Sequence, residues 1–294
     1  MNIAGIIKSS FIDYPGFASI VIFLGGCNFK CGYCHNPEIV RCGRGEITLP
    51  DFFAFLKKRK RFIDAVCISG GEPTIHRELF DLICEIRRLG FRVKLDTNGT
   101  NPRLLARLLA GGIGGGGAAE GPLVNYVAMD IKGPWEKYGQ IAGLDGGNGA
   151  KADKIWESAL AETAAMAGEA TEIAGPAAGG QKAETAAMAG EAAEIAGSAA
   201  VRESLELLKQ AAAPDFSYEL RTTICRELIS AADIETMAGQ LSGAAVWYLQ
   251  PFKKQGELLC DRGYSAYTPE EMGELLLAAR KAAQGRIGQI RVRE

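Results

Sequence analysis

The sequence predicts an α/β chain folded as a partial (β/α)6, TIM-like barrel of parallel strands, interrupted by an Ala/Gly-rich insertion. Short apolar runs alternate with amphipathic stretches six times. Repeated β-then-α units of this kind favour a parallel sheet with its helices outside. Six units fall short of a full eightfold barrel. The length of 294 residues suits a single domain over residues 1–294. A doubly wound open sheet is the competing architecture.

The strand-like runs are residues 19–24, 65–69, 92–96, 124–129, 218–224 and 245–250, each rich in β-branched or aromatic side chains. Between them, residues 51–61, 77–89, 102–109, 201–212 and 231–241 place apolar side chains at helical spacing. A last helix over 269–283 follows the sixth strand, and 287–292 adds a short edge strand. Two segments break the pattern. Residues 111–117 form a glycine-rich tract, read as an elongated loop before the fourth strand. The ten-residue run Ala-Glu-Thr-Ala-Ala-Met-Ala-Gly-Glu-Ala at Ala161 recurs at Ala183, an offset of 183 − 161 = 22 residues. One pair of repeats is too few for a solenoid. Residues 150–200 therefore read as an insertion within the domain, a helical hairpin or a disordered stretch, too thin in apolar content to carry catalysis.

The 33 basic and 35 acidic residues leave a formal net charge of −2. That balance gives no electrostatic reason to expect nucleic acid or an anionic membrane as partner. The opening residues lack the basic and apolar regions of a signal peptide. No apolar run approaches the ~20 residues that span a bilayer. The expectation is a soluble, cytoplasmic protein. In a reducing compartment the eight cysteines are not expected to pair. Cys67, Cys84 and Cys225 stand among apolar neighbours and read as small buried hydrophobes.

Cys27, Cys31 and Cys34 are different. They make a Cys-x3-Cys-x2-Cys run directly after the first predicted strand and the pair Gly25-Gly26. Thiolates are soft ligands that suit zinc or iron–sulfur clusters. A structural zinc site takes four protein ligands, so Cys42 or His35 would have to complete it. A cubane held by three thiolates leaves one iron open to a substrate.

The rest of the chain bears on that choice. Gly26-Cys27-Asn28-Phe29-Lys30-Cys31-Gly32-Tyr33-Cys34-His35-Asn36-Pro37 resembles the cluster loop of radical S-adenosylmethionine enzymes, above all the glycyl-radical-enzyme activases. Ile12-Asp13-Tyr14-Pro15-Gly16 is similar to an Asp-x-Pro-Gly element that those activases carry before the first strand. Gly70-Gly71-Glu72-Pro73, Asp96-Thr97-Asn98-Gly99 and Asp130-Ile131-Lys132 match the family in order and spacing. These three motifs and the cysteines fall at carboxyl ends of predicted strands, the rim where parallel barrels gather a ligand. The resemblance covers nearly the whole chain outside the insertion. It is closest to the longer activases of anaerobic ribonucleoside-triphosphate reductase.

The resemblance implies one 4Fe–4S cluster on Cys27, Cys31 and Cys34, with S-adenosyl-L-methionine on the open iron. Gly70, Gly71 and Glu72 would hold the methionine amino group. Asp130, Lys132 and Asp96 would lie beside the cofactor carboxylate, with a monovalent cation screening Asp96 and Asp130. Arg221 would orient that carboxylate, since guanidinium forks pair well with carboxylates. Tyr33 and His35 would flank the adenine or the cluster. The family places a histidine after the sixth strand; this chain has Lys253 there, so adenine contact passes to Gln250, Phe252 or Lys253. Each residue also has a plain structural reading. Gly70–Pro73 suits a tight turn, Asp96 an Asx turn, Asp130 and Lys132 a solvated ion pair, and Arg221 a structural arginine.

The implied reaction is reductive cleavage of S-adenosylmethionine to a 5′-deoxyadenosyl radical, which abstracts hydrogen from a glycine Cα of a partner enzyme. It needs no acid–base residue, in keeping with only two histidines, His35 and His76. The implied partners are anaerobic ribonucleoside-triphosphate reductase and, as electron donor, a flavodoxin or ferredoxin. The rival readings are a radical enzyme acting on a small molecule or peptide, a four-thiolate electron carrier, and a zinc-stabilised binding module using Cys42.

Overall fold

The computed structural model describes residues 1, 3–42, 45–112, 121–144 and 198–293. Among these, eight strands form one sheet: β1 (Ile3–Ser10), β2 (Ser19–Leu24), β3 (Ala65–Gly70), β4 (Arg92–Thr97), β5 (Tyr126–Asp130), β6 (Ser217–Ile224), β7 (Val246–Pro251) and β8 (Gln289–Val292). Helices α1 (Pro37–Val40), α2 (Leu49–Arg59), α3 (Leu79–Arg88), α4 (Pro102–Ala110), α5 (Tyr138–Ala142), α6 (198–210), α7 (Ala231–Gln240) and α8 (Pro269–Ala283) lie between or after strands β2 to β7.

Strand order decides between the two architectures. The strands follow one another in sequence order from β1 to β8, and β2 through β8 are all parallel. A doubly wound sheet reverses its order at a switch point. Here the order never reverses, so right-handed crossovers place every helix on one face. The sheet thus curls as a partial barrel, with β1 and β8 at its two ends. Side chains alternate accordingly. Ile22, Ile68, Leu95, Val127, Leu220 and Leu249 join the helices in the main apolar core. On the other face, Val21, Ala65 and Cys67 form a small cluster with Tyr14.

Helix starts follow from their capping residues. The side chains of Thr48 and Asn101 accept the backbone N–H of Asp51 and Leu104 at the starts of α2 and α4. Ser230 with Asp233, and Thr268 with Glu271, form capping boxes for α7 and α8. Cys67, Cys84 and Cys225 are buried, as their neighbours in sequence imply. No helix among the described residues is long and apolar enough to cross a membrane.

One strand escapes the sequence reading. β1 precedes residues 19–24 and runs antiparallel to β2. The turn between them therefore lies at the amino end of the parallel strands. Tyr14 there is buried, its ring 5.1 Å from Phe17 and 5.8 Å from Tyr126. The Asp13–Gly16 element thus closes the floor of the barrel, away from the ligand rim. The duplicated run and residues 113–117 of the glycine tract lie outside the described residues.

Candidate active site at the carboxyl rim

The cysteine loop leaves β2 and is pinned on every side by backbone hydrogen bonds. Gly26 N–H donates to Ile39 O at 2.9 Å, and Lys30 N–H to Ala142 O at 2.8 Å. From the far end of the chain, Leu259 N–H reaches Cys34 O at 3.0 Å and Cys260 N–H reaches Gly32 O at 2.9 Å. His76 Nε2 donates to Gly25 O at 3.0 Å, which gives that histidine a bracing role beyond starting a helix. Cys31 is buried, and Cys27 and Cys34 are half-buried. Burial pushes the Cys27 thiol far above its ordinary range and the Cys31 thiol up to about 11. Thiols in such surroundings ionise against a metal's positive charge.

Two glycines let the next strand end approach this loop. Gly70 has φ +134°, and a Cβ there would collide with the backbone of Leu24. A Cβ at Gly71 would collide with the carbonyl of Gly26. With that space clear, Glu72 N–H donates to Gly26 O at 2.8 Å. The Glu72 carboxylate is fully engaged within the protein. Its Oε1 accepts Thr74 N at 3.0 Å, Thr74 Oγ1 at 2.5 Å and Thr97 Oγ1 at 2.7 Å, and its Oε2 accepts Asn98 N at 2.6 Å. Asn98 Nδ2 in turn donates to Asn28 Oδ1 at 2.8 Å, tying the β4 end to the cysteine loop.

Beside these neutral ties lies a chain of alternating charges. Asp130 and Arg221 are register partners on β5 and β6. Arg221 Nε is 2.8 Å from Asp130 Oδ1, and Lys132 Nζ is 3.1 Å from Asp130 Oδ2. Arg221 Nη1 is 3.5 Å from Asp96 Oδ1, and Lys94 Nζ is 2.7 Å from the same oxygen. Burial works against ionised carboxylates, but Arg221 and Lys132 outweigh it and hold Asp130 down to about 2. Arg221 and Lys94 likewise hold Asp96 below its ordinary value. Burial alone would lower Lys132; Asp130, with Tyr33 and Cys31 behind it, holds it well above its usual range. Lys94, Lys132 and Arg221 thus pair with the two carboxylates Asp96 and Asp130.

The Radical SAM superfamily model matches residues 21–161. That stretch resembles a radical SAM domain. Over 140 residues the chain is 41% identical to a Methanocaldococcus jannaschii protein named for glycyl-radical enzyme activation, covering 46% of this chain and 52% of that one. It is 35% identical over 85 residues to the 7-carboxy-7-deazaguanine synthase of Aquifex aeolicus, covering 29% and 38%. The chain thus spans about half the length, or less, of these relatives. The fold is similar to that of Streptococcus suis SuiB bound to precursor peptide SuiA. The TM-score is 0.54 at 12% identity, covering 92% of this chain and 48% of that one.

The residues at this rim fit the iron–sulfur cluster and S-adenosylmethionine that a radical SAM domain would hold. The donors are three soft thiols on one pinned loop. The same loop carries two buried polar atoms without a hydrogen-bond partner, Tyr33 Oη and His35 Nδ1, and the His35 ring stacks on Phe252 at 5.2 Å. Among the described residues no three His, Cys, Asp or Glu side chains converge as the ligands of a single ion. A cubane asks less, because each cysteine binds its own iron. The monovalent cation fits poorly: Asp96 and Asp130 are already matched by Lys94, Arg221 and Lys132.

The structure brings Tyr33, His35, Gly70, Gly71, Asp96, Asp130, Lys132 and Arg221 to this rim, and separates two others. Glu72 is 1% exposed and spends its carboxylate on protein donors, so that carboxylate ties loops together. Lys253 is exposed, whereas Phe252 is buried against the His35 ring and Gln250 is half-buried. Sequence reasoning missed Lys94 and Tyr138, whose hydroxyl donates to Asp130 O at 3.5 Å. The two-residue spacing from Lys94 to Asp96 on one strand face was the available signal.

Proposed function

We propose that this chain is a radical S-adenosylmethionine activase that generates a glycyl radical on a partner enzyme, anaerobic ribonucleoside-triphosphate reductase being the partner its motifs suit. The observation that carries this reading is the three-thiol loop lying beside a partly buried array of paired charges on the same rim. The 41% identity to a relative named for glycyl-radical enzyme activation supports it. When bound, the cluster supplies the electron for reductive cleavage of S-adenosylmethionine, with a flavodoxin or ferredoxin as its source.

The chain's own residues bind, orient and shield. Cys27, Cys31 and Cys34 would hold the cluster through their thiolates. Lys132 and Arg221 present positive charge to the cofactor carboxylate while Asp130 fixes their orientation. Gly70 and Gly71 seat the end of β3 against the cysteine loop, where the methionine amino end would lie. Tyr33, His35 and Phe252 supply ring surface and unspent polar atoms for the nucleoside. Residues 258–264 cover the loop and exclude water. The sheet's ends at β1 and β8 are not paired to each other, which suits entry of a protein segment.

A second reading, a radical enzyme acting on a small molecule, is favoured by the 35% identity to 7-carboxy-7-deazaguanine synthase. The separating experiment mixes anaerobically reconstituted protein, dithionite and S-adenosylmethionine with anaerobic ribonucleotide reductase. A glycyl-radical paramagnetic signal that requires both proteins supports the activase. Absence of that signal, with turnover of a deazapurine precursor instead, overturns it.

A further inference from the structure

We propose that the ammonium of Lys94 takes the place of the monovalent metal cation expected beside Asp96 and Asp130. The inference rests on reading this rim as the S-adenosylmethionine site. Lys94 lies on β4, two residues before Asp96 and in register with Tyr126 on β5. Its side chain is 5% exposed, and its Nζ stands 2.7 Å from Asp96 Oδ1 and 5.9 Å from the Tyr126 ring centroid. A lysine is buried this completely only when its charge is matched, and Asp96 is the match.

The remaining contacts close the account of charge. Both oxygens of Asp130 face cations, Oδ1 toward Arg221 Nε and Oδ2 toward Lys132 Nζ. Arg221 Nη1 also approaches Asp96 Oδ1 at 3.5 Å. A metal ion entering here would meet three cations and would have to displace an ammonium paired with Asp96 at 2.7 Å. Lys94 touches Asp96 and not the cofactor, so it is a positioning residue. It keeps Asp96 and Arg221 in place without a recruited ion. Binding of S-adenosylmethionine in this chain is then indifferent to alkali metals.

The test titrates S-adenosylmethionine into anaerobically reconstituted wild-type, Lys94→Met and Lys94→Arg proteins in sodium, potassium and choline chloride at one ionic strength. Thermal midpoints are recorded in the same salts without cofactor. The wild type and Lys94→Arg are expected to show the same affinity and midpoint in all three salts. Lys94→Met is expected to bind roughly tenfold more weakly in choline, the size of one lost charge-assisted bond, and to recover in sodium or potassium. A severalfold gain in wild-type affinity from choline to sodium or potassium would overturn the proposal. So would a Lys94→Met protein that tracks the wild type in every salt. If Lys94→Met does not fold, the wild-type and Lys94→Arg titrations decide on the same criteria. If the wild type binds no S-adenosylmethionine in any salt, the reading of the rim fails, and a wild-type midpoint dependent on alkali metal then separately overturns the role of Lys94.

Discussion

Glu72, buried, and Asp130, partly buried, are both carboxylates at strand ends of one sheet, yet their surroundings treat them in opposite ways. Glu72 is met by neutral donors from Thr74, Thr97 and Asn98. Its burial outweighs those bonds, and its carboxyl is held above the usual range. Asp130 is met by Arg221 and Lys132, which overcome its desolvation and hold it down to about 2. The neutral set fastens loops together, since it spends every acceptor on the protein's own backbone and side chains. The charged set keeps an electrostatic field at the rim, where a zwitterionic cofactor has charge to place. A strand-end carboxylate is thus assigned a role by its partners and not by its motif.

That contrast is open to experiment, beginning where the effect is largest. Arg221→Met removes the cation shared by Asp96 and Asp130. Breaking a buried pair this way costs about 3–5 kcal/mol, to be measured by denaturant unfolding of the cluster-free chain. Glu72→Gln keeps the shape but puts an amide N–H against existing donors, at about 1–3 kcal/mol. Equal losses in the two variants would erase the distinction.

Acid titration sharpens it further. Asp130 is depressed in the fold from its ordinary 3.8 to about 2, so its contribution is present above pH 4 and fades as pH falls toward 2. Asp130→Asn should therefore flatten the acid limb of stability between those values. Glu72 is raised, so its contribution runs the other way, present in acid and lost as pH rises through its folded value. Glu72→Gln should leave the acid limb as steep as in the wild type, or steeper. The smallest effect belongs to a surface pair. Lys254 and Asp261 meet at 2.7 Å but are both about half exposed, and Lys254→Ala should leave the thermal midpoint unchanged.

Much of this could be read from the chain before its structure. The run Ser19-Ile-Val-Ile-Phe-Leu marked β2 to the residue, because both faces of a central parallel strand are buried and its apolar run is unbroken. β1 was harder. Only Ile3 and Ser10 of its eight residues are buried, and Gly5 with Lys8-Ser9-Ser10 breaks the apolar pattern. The cysteine loop was legible because its ligands are contiguous. Lys94 was not, since Arg-Val-Lys-Leu-Asp reads as a strand with one wet face. Only the curl of the sheet turns that face inward and buries the lysine. The partners of Glu72 were hidden for a similar reason. Its decisive partners, Thr97 and Asn98, arrive from the next strand, and local sequence holds no trace of them.

The most direct measurement is metal analysis joined to paramagnetic resonance on oxygen-free, reconstituted and reduced protein, with and without S-adenosylmethionine. Roughly four irons per chain are expected, falling to near zero in Cys31→Ala, with a cluster signal that changes when S-adenosylmethionine is added. Zinc in place of iron, or a cluster signal indifferent to S-adenosylmethionine, would contradict the account.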